Sequence, residues 1–236
     1  MKLKVKKSLN YLKKSRDLKN IKYIIIHYTG MQSARESLKR LLDKKTKVSC
    51  HYFIDRKGEI LNLVDDNKIA WHAGKSKWKR KKNLNDESIG IELQNKGHFK
   101  NYEKFTNLQI KSLIKVIKRL MKKYNIKKYN VLGHSDIAPL RKLDPGENFP
   151  WKLLSSKGLS IWFSKKQERN YEFKDSQKRV IFFKNIFKIG YRYFNLSNRN
   201  KGDVRIIKAF QMRFLPEEVS GKITDKTLYI SQLLAK

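Results

Sequence analysis

The segment YIIIHYT, residues 23–29, is the feature that most restricts how this chain can fold. Three consecutive isoleucines follow Tyr23, and no polar residue alternates with them. An unbroken run of β-branched residues predicts a strand that is buried inside a sheet. The run is too short to cross a bilayer, and it carries His27 at its end.

Helix and turn signals follow this strand. Ser33 and Glu36 stand at capping-box spacing before a leucine-rich face, which predicts a helix over SARESLKRLLDKK. The segments SCHYFID and GEILNLV flank the turn RKG and predict a β-hairpin. A lysine-rich loop, residues 74–85, then separates this hairpin from the strand-like segment SIGIEL.

The clearest helix signal comes next. Thr106 is a predicted N-cap for TNLQIKSLIKVIKRLMKKYN, where apolar residues recur at helical spacing: Leu108, Leu113, Ile114, Ile117, Leu120 and Met121. The segment KYNVLGH then predicts another strand. Because strands alternate with helices, the sequence predicts an α/β fold in which a mixed central β-sheet is flanked by helices.

The pattern divides the chain into three parts. Residues 1–20 form a basic N-terminal arm, with a short helix predicted through KSLNYLKKSRDL. Residues 21–164 hold the α/β pattern and form the main domain. Beyond a boundary near residue 165, residues 165–236 show three short amphipathic segments with polar turns, which predict a small three-helix domain.

The chain is strongly basic, with 56 lysine and arginine residues, 21 aspartate and glutamate residues, and a formal net charge of +35. Such an excess of positive charge favours binding to nucleic acid, to an anionic membrane or to an anionic polymer such as a cell wall. The charges are interspersed along the whole chain, which favours a lysine-rich composition spread over solvated faces. Since no zinc finger, RRM or helix-turn-helix signature is present, we expect no specific nucleic-acid partner.

The cysteine content and the start of the chain bear on its compartment. A single cysteine, Cys50, excludes an intramolecular disulfide framework and leaves the redox compartment undetermined. The first twenty residues carry the positive charge of a secretory signal but no apolar segment and no small-residue cleavage site. We therefore expect no signal peptide, no transmembrane segment and a cytoplasmic protein, with the periplasm or cell envelope as the alternative.

Two histidines and an aspartate have the composition of a metal site. His27 ends one predicted strand, His134 ends another, and Asp144 lies in the loop that follows. A catalytic zinc site is commonly built from two imidazoles and one carboxylate, with a fourth position left for water. A lone histidine at a strand end is more often structural, so these residues alone leave both interpretations open.

Two charged residues favour the metal site. Glu92 interrupts an apolar strand, where it is either an exposed edge residue or a carboxylate that faces a polar cavity. Lys142 stands two residues before Asp144, so in an extended loop both side chains point the same way. A cation beside a metal is favourable where an oxyanion develops, because both positive charges stabilise the negative oxygen. Because the chain is so rich in lysine, the alternative is that Lys142 is an ordinary solvent-exposed residue without a role in the site.

The chain resembles the zinc-dependent N-acetylmuramoyl-L-alanine amidases in IIIHYT, SCHYFIDRKGEILNLV, AWHAG, NDESIGIEL and LGHSDIAPLRKLDPGENFPW. This type 2 amidase fold is shared with bacteriophage amidases and animal peptidoglycan recognition proteins. The segment GDVRIIKAFQMRFLPEEVSGKITDKTL resembles the small helical peptidoglycan-binding domain, whose mark is an AFQ helix followed by a G…D…T turn. The resemblance implies a zinc amidase domain over residues 21–164 and a peptidoglycan-binding-like domain over residues 165–236.

The resemblance also assigns roles to matching residues. It implies that His27, His134 and Asp144 bind one Zn²⁺ per chain. Glu92 matches the general base that deprotonates the attacking water, and Lys142 matches the lysine that stabilises the oxyanion. The implied reaction hydrolyses the amide bond between N-acetylmuramic acid, or its 1,6-anhydro form, and L-alanine of the stem peptide.

Other positions take supporting roles under the same resemblance. His51, Trp71 and His72 fall where the family lines its substrate groove. Cys50 stands where some phage relatives have a tyrosine near the active site, so that tyrosine's role does not transfer, and we interpret Cys50 as a small buried neighbour. In the loop, Gly133 allows close approach of the chain and the Pro145-Gly146 pair turns it after the aspartate.

The substrate form and the partners stay open at this level. The missing signal peptide indicates a recycling enzyme acting on anhydro-muropeptides, whereas the C-terminal segment indicates an exported enzyme acting on polymeric peptidoglycan. A non-catalytic muropeptide-recognition module and a basic nucleic-acid-binding protein are the alternatives to an enzyme. We expect a monomer, and we hypothesise that loop 74–85 forms one wall of the groove and holds anionic substrate through Lys75, Lys77, Lys79 and Arg80.

Overall fold

The structure is a computed structural model that describes residues 3–99, 101–164, 174–198 and 200–236. The strands in these residues are β1 (Lys4–Val5), β2 (Tyr11–Ser15), β3 (Tyr23–Tyr28), β4 (Tyr52–Ile54), β5 (Ile60–Asn62), β6 (Lys68–Ala70), β7 (Lys77–Trp78), β8 (Lys81–Lys82), β9 (Ser88–Leu93) and β10 (Val131–Gly133). The α-helices are α1 (Ala34–Leu42), α2 (Asn107–Tyr124), α3 (His134–Ile137), α4 (Trp151–Ser156), α5 (Asp175–Ile189), α6 (Asp203–Phe214) and α7 (Asp225–Leu234).

A mixed sheet of six strands forms the centre of the fold, in the order β1-β5-β4-β9-β3-β10. Strand β3 runs parallel to both of its neighbours, β9 and β10. Strand β4 is parallel to β9 and antiparallel to β5, as predicted for the hairpin. Two small antiparallel ribbons, β2-β6 and β7-β8, lie outside this sheet. The predicted α/β fold with a mixed central sheet is therefore confirmed.

Strand β3 is buried on both faces, as its unbroken isoleucine run predicts. Successive side chains of a strand point to opposite faces of the sheet. Ile24 and Ile26 pack into an apolar cluster with helix α2, whereas Ile25 packs into a second cluster that contains residues of helices α5, α6 and α7. All three isoleucines are fully buried. The sheet is thus the middle layer of three.

The C-terminal helices α5, α6 and α7 supply one of those layers. Phe182, Phe183 and Phe210 are fully buried, and they share one apolar cluster with Ile25 and Leu132 of the central sheet. The three predicted C-terminal helices are present. The boundary predicted near residue 165 falls within residues 165–173, outside the described part of the chain, so the domain division stays a prediction.

The helix predicted within the N-terminal arm is wrong, because residues Tyr11–Ser15 form strand β2 and pair with β6. A helix this short has marginal stability in isolation. The extended segment instead satisfies backbone groups of the main domain, for Asn10 donates to the carbonyl of Val48 at 3.0 Å. Arg16 donates to the carbonyls of Asp66 at 2.9 Å and Ser88 at 2.7 Å.

Loop 74–85 is more ordered than predicted. It contains the hairpin of β7 and β8 and is anchored by Trp78, which is 2% exposed. The ring centroids of Trp78 and Tyr191 lie 5.0 Å apart. Lys77 lies over the ring of Tyr193, 5.0 Å from its centroid. The loop therefore packs on the segment that follows helix α5.

Both strong helix predictions are confirmed at their N-caps. The hydroxyl of Ser33 accepts from the backbone N–H of Glu36, and that of Thr106 accepts from Gln109, both at 3.1 Å. Leu108 is an exception in the predicted apolar face, since its side chain is 57% exposed at the first turn of α2. Among the described residues, no helix is long and apolar enough to cross a membrane.

Replacing Leu113 with alanine tests the layer formed by α2. Leu113 is fully buried against the sheet, so we expect Leu113→Ala to lower the free energy of unfolding by about 2–5 kcal/mol. The matched variant Leu108→Ala removes the same atoms from an exposed position and should change it by less than about 0.5 kcal/mol. Denaturant unfolding measures both, and equal losses would contradict the described burial.

Candidate active site

Three side chains meet where strands β3 and β10 end. Gly133 pairs with Ile26 in the parallel register, so His134 and His27 follow paired residues. The Nδ1 atoms of His27 and His134 lie 2.9 Å apart, and Oδ2 of Asp144 lies 3.0 Å from the first and 3.1 Å from the second. All three side chains are buried. The structure therefore brings together the three predicted ligands.

The segment between His134 and Asp144 is folded back so that both reach this point. It begins with the short helix α3, where sequence analysis predicted a loop. The N–H of Ser135 donates to the carbonyl of Asp144 at 2.8 Å, and a cis peptide bond joins Asp144 to Pro145. A Cβ atom on Gly133 would lie 2.7 Å from Cδ of Pro145. Close approach at Gly133 is thus required, as predicted.

A chain of hydrogen bonds fixes the proton on His27. The Ser88 hydroxyl donates to the carbonyl of Leu84 at 2.6 Å, so its oxygen accepts from Nε2–H of His72 at 3.1 Å. Nδ1 of His72 then accepts from Nε2–H of His27 at 3.0 Å. This tautomer leaves Nδ1 of His27 unprotonated in the neutral ring.

His134 is held in the same tautomer by a backbone group. Its Nε2 lies 3.1 Å from the carbonyl oxygen of Ala73, which can only accept a hydrogen bond. The carbonyl contact is shorter than the 3.3 Å contact of Nε2 with the guanidinium of Arg141, so it favours the tautomer with the proton on Nε2 and a lone pair on Nδ1. Arg141 also donates to the Ala73 carbonyl, and it donates to the carbonyl of Lys75 at 2.9 Å. Arg141 thereby stabilises the backbone segment that orients His134.

The three facing atoms fit a divalent cation. With both Nδ1 atoms unprotonated, no proton lies between them and the Asp144 carboxylate, so a cation at their centre is attracted by all three. Two imidazoles and one carboxylate are a donor set typical of catalytic zinc. Within the described residues, His27, His134 and Asp144 are the set of buried groups that meets these requirements.

Protonation states favour metal binding as well. Burial, reinforced by the neighbouring His134, lowers the pKa of His27 to about 4. Burial alone would raise the pKa of Asp144, but His134 and His27 together hold it below its usual value. At neutral pH, His27 is therefore neutral and Asp144 is ionised, which are the forms that bind metals.

Glu92 stands beside the three ligands with an unused oxygen. It lies opposite His27 in the register of β9 and β3, and it is 8% exposed. In the described part of the chain, its Oε2 atom has no hydrogen-bond partner. Burial, with a contribution from Asp144, raises the pKa of Glu92 to about 8, although Lys142 opposes this shift. An unsatisfied buried carboxylate in a cavity is a mark of a functional group.

These groups line a cavity of about 570 Å³, the size of many small-molecule sites. Of the predicted groove and catalytic residues, Trp71, His72, Glu92 and Lys142 lie in its wall. Cys50 is fully buried behind Glu92, and burial raises the pKa of its thiol well above the usual value, which agrees with a small buried neighbour.

The prediction that His51 lines the groove is wrong. His51 is fully buried and absent from the cavity wall. Its Nδ1 accepts from the N–H of Gly90 at 3.0 Å, and its Nε2 lies 2.9 Å from the guanidinium of Arg16 and 3.1 Å from the carbonyl of Lys68. Burial and the nearby Arg16 lower its pKa to about 3. His51 is therefore a neutral structural link behind the site.

Three basic residues of the cavity wall were not identified by sequence analysis. Arg40 of helix α1, Lys47 after it and Arg141 line the wall. Loop 74–85 contributes only its two ends, Gly74 and Asn85, so the hypothesis that its four cations line the groove is not met. No local pattern marks Arg40 or Lys47, because only the tertiary fold brings helix α1 to the cavity.

Comparison with known proteins places the chain in a family. The model of the N-acetylmuramoyl-L-alanine amidase family matches residues 17–147. Amidase AmiD of Escherichia coli K12 is 35% identical over 231 residues, covering 91% of this chain and 82% of AmiD. The 1,6-anhydro-N-acetylmuramyl-L-alanine amidase AmpD of Haemophilus influenzae is 43% identical over 112 residues, covering 47% of this chain and 59% of AmpD.

Solved structures extend the similarity over nearly the whole chain. The structure of E. coli AmiD with the substrate anhydro-N-acetylmuramic acid-L-Ala-D-γ-Glu-L-Lys superposes with a TM-score of 0.81 at 33% identity, covering 94% of this chain and 90% of AmiD. Pseudomonas aeruginosa AmpDh3 with an anhydromuramic pentapeptide gives a TM-score of 0.77 at 28% identity, covering 94% and 92%. The chain belongs to the N-acetylmuramoyl-L-alanine amidase family.

Proposed function

We propose that this protein is a zinc-dependent amidase that cleaves the bond between N-acetylmuramic acid, or its 1,6-anhydro form, and L-alanine of the stem peptide. The observation that carries the proposal is the meeting of His27, His134 and Asp144 beside the unpartnered carboxylate oxygen of Glu92. The anhydromuropeptides bound in the related AmiD and AmpDh3 structures support the substrate class.

Zinc is the metal that suits this donor set. Nδ1 of His27, Nδ1 of His134 and a carboxylate oxygen of Asp144 would hold one ion and leave a further position open. When bound there, zinc supplies a Lewis acid that polarises the scissile carbonyl and makes water more acidic.

Glu92 transfers protons in this reaction, and Lys142 stabilises negative charge. In its ionised form, which becomes more populated as pH rises through about 8, Glu92 accepts a proton from the attacking water. Protonated Glu92 then returns that proton to the departing alanine nitrogen. Lys142 lines the same cavity and places positive charge where the carbonyl oxygen becomes negative.

Arg40 and Lys47 give the cavity a means to hold an acidic peptide. Both line its wall, and within the described residues neither side chain has a hydrogen-bond or ion-pair partner. Arg141, by contrast, is occupied by the carbonyls of Ala73 and Lys75. We therefore assign the recognition of stem-peptide carboxylates to Arg40 and Lys47.

Metal content tests the proposed ligands. The purified protein should contain about one zinc per chain, and His27→Ala should lose most of it because one of three protein ligands is removed. His98→Ala is the matched control, since His98 bonds to Glu147 and Tyr28 rather than to the three ligands. Elemental analysis of the purified proteins measures the zinc content of the wild type and of both variants. A wild-type protein that binds muropeptide with neither zinc nor cleavage would be a recognition module instead.

The variant Glu92→Gln tests the general base. Because glutamine keeps the shape of the side chain but cannot accept the proton, we expect a loss of about 10²–10⁴-fold in kcat with zinc content unchanged. Release of the peptide from a muropeptide measures the rate. Glu59→Gln, on the surface beside Lys4, should retain the wild-type rate. Retained activity in Glu92→Gln would assign the base elsewhere.

Charge neutralisation separates the two basic surfaces. The double variant Arg40→Gln, Lys47→Gln should raise KM for an acidic muropeptide by about 30-fold or more, since each of the two charged contacts contributes about 1 kcal/mol or more. The four-residue variant of loop 74–85, with Lys75, Lys77, Lys79 and Arg80 changed to glutamine, should leave KM within about twofold at constant ionic strength. The reverse ranking would return substrate binding to the loop.

A further inference from the structure

A buried carboxylate lies directly behind the metal-binding histidine. Asp136 is the third residue of helix α3, which begins at His134, and it is 1% exposed. Its Oδ2 accepts from the N–H of Gly133 at 2.7 Å, so it closes the junction between β10 and α3. Asp136 does not line the active-site cavity. Its role must therefore be exerted through the backbone that carries His134.

The other partners of Asp136 come from the C-terminal helices. Arg213 of α6, 77 residues away along the chain, forms a buried ion pair with Oδ2. Tyr191, just after α5, donates its hydroxyl to Oδ1 at 2.5 Å. Arg213 also donates to the carbonyl of Val131 in β10 at 3.1 Å. Two C-terminal segments thus bond to both sides of the junction.

Packing holds these partners in place. The guanidinium of Arg213 lies over the ring of Trp151, 4.2 Å from its centroid, and it is 2% exposed. Tyr191 is fully buried against Trp78. A buried pair that loses one member leaves an uncompensated charge, and the surrounding backbone shifts to relieve it. Any such shift at Asp136 moves the start of α3, and with it the His134 imidazole.

We propose that Arg213 and Tyr191 are positioning residues for the metal ligand His134, so that the C-terminal helices form part of the metal site. This inference rests on the proposed function, because it takes zinc to bind at the three ligands. It assigns the C-terminal helices a role besides any contact with the cell wall. Residues that orient a metal ligand typically change metal affinity by about 10–100-fold when they are replaced.

A second buried ion pair offers a matched control. Arg179 and Asp203 pair within the C-terminal helices, with Nη2 and Oδ2 2.8 Å apart, and Arg179 is 6% exposed. The other hydrogen bonds of Arg179 go to carbonyls of residues 195–198 and not to the junction. Arg179→Met therefore breaks a buried pair of the same kind without touching Asp136.

The experiment measures zinc affinity by competition with a chromophoric chelator, using the full-length chain below the unfolding midpoint of every variant. We expect Arg213→Met to weaken zinc binding by about 10–100-fold and Tyr191→Phe to weaken it less, in the same direction. Arg213→Lys should restore part of the affinity. Arg179→Met should lower the unfolding temperature while leaving zinc affinity within about twofold of the wild type.

Each outcome decides a separate point. If Arg213→Met and Tyr191→Phe are destabilised but bind zinc as tightly as the wild type, the pair is purely structural and the inference is overturned. If Arg179→Met weakens zinc binding as much as Arg213→Met, the effect is general loosening, which also overturns it. If Arg213→Met does not fold, Tyr191→Phe decides, since it removes a single hydroxyl. A wild-type chain without zinc affinity would overturn the proposed function as well.

Discussion

The parallel pairing of β3 with β9 on one side and β10 on the other is the constraint from which the site follows. Parallel strands end at the same edge of a sheet, so Glu92, His27 and His134 arrive together at neighbouring strand ends. The pairing is stabilised by the isoleucines of β3, which are covered by α2 on one face and by the C-terminal helices on the other. The packing that forms the core therefore also places the side chains of the site.

Hydrogen bonds then determine which nitrogen of each histidine carries the proton. Each imidazole has its Nε2 proton held by a neighbouring group, His72 for His27 and the Ala73 carbonyl for His134, so both Nδ1 atoms are available to a metal. One buried oxygen of Glu92 has no hydrogen-bond partner among the described residues, which suits it to exchange protons with a substrate.

Local patterns in the sequence predicted much of this arrangement. Strand β3 follows from its unbroken isoleucine run, the hairpin from its turn, and helices α1 and α2 from their apolar faces and their caps at Ser33 and Thr106. These signals act between near neighbours. His27 and His134 stand at predicted strand ends, and the family resemblance selected them, together with Asp144 and Glu92. Leu108 was placed on the wrong face because apolar period alone does not show where the covering layer stops.

The errors arose where distant segments meet. His51 was assigned to the groove, but Arg16 from the N-terminal arm binds it from behind, and no pattern links residues 35 positions apart. Arg40 and Lys47 reach the cavity only through the packing of α1. The pair of Arg213 and Asp136 spans 77 residues and joins segments that the sequence divides into separate domains. Such contacts depend on the assembled layers.

If the proposed function is right, zinc binds to His27, His134 and Asp144, while Glu92, His72 and Cys50 stay outside its coordination sphere. X-ray absorption spectroscopy at the zinc edge of the purified protein identifies the atoms that bind the metal. We expect two imidazole nitrogens and otherwise only oxygen ligands, all at about 2.0–2.2 Å. A third imidazole would implicate His72, and a sulfur ligand at about 2.3 Å would implicate Cys50. Either result would contradict the assignment.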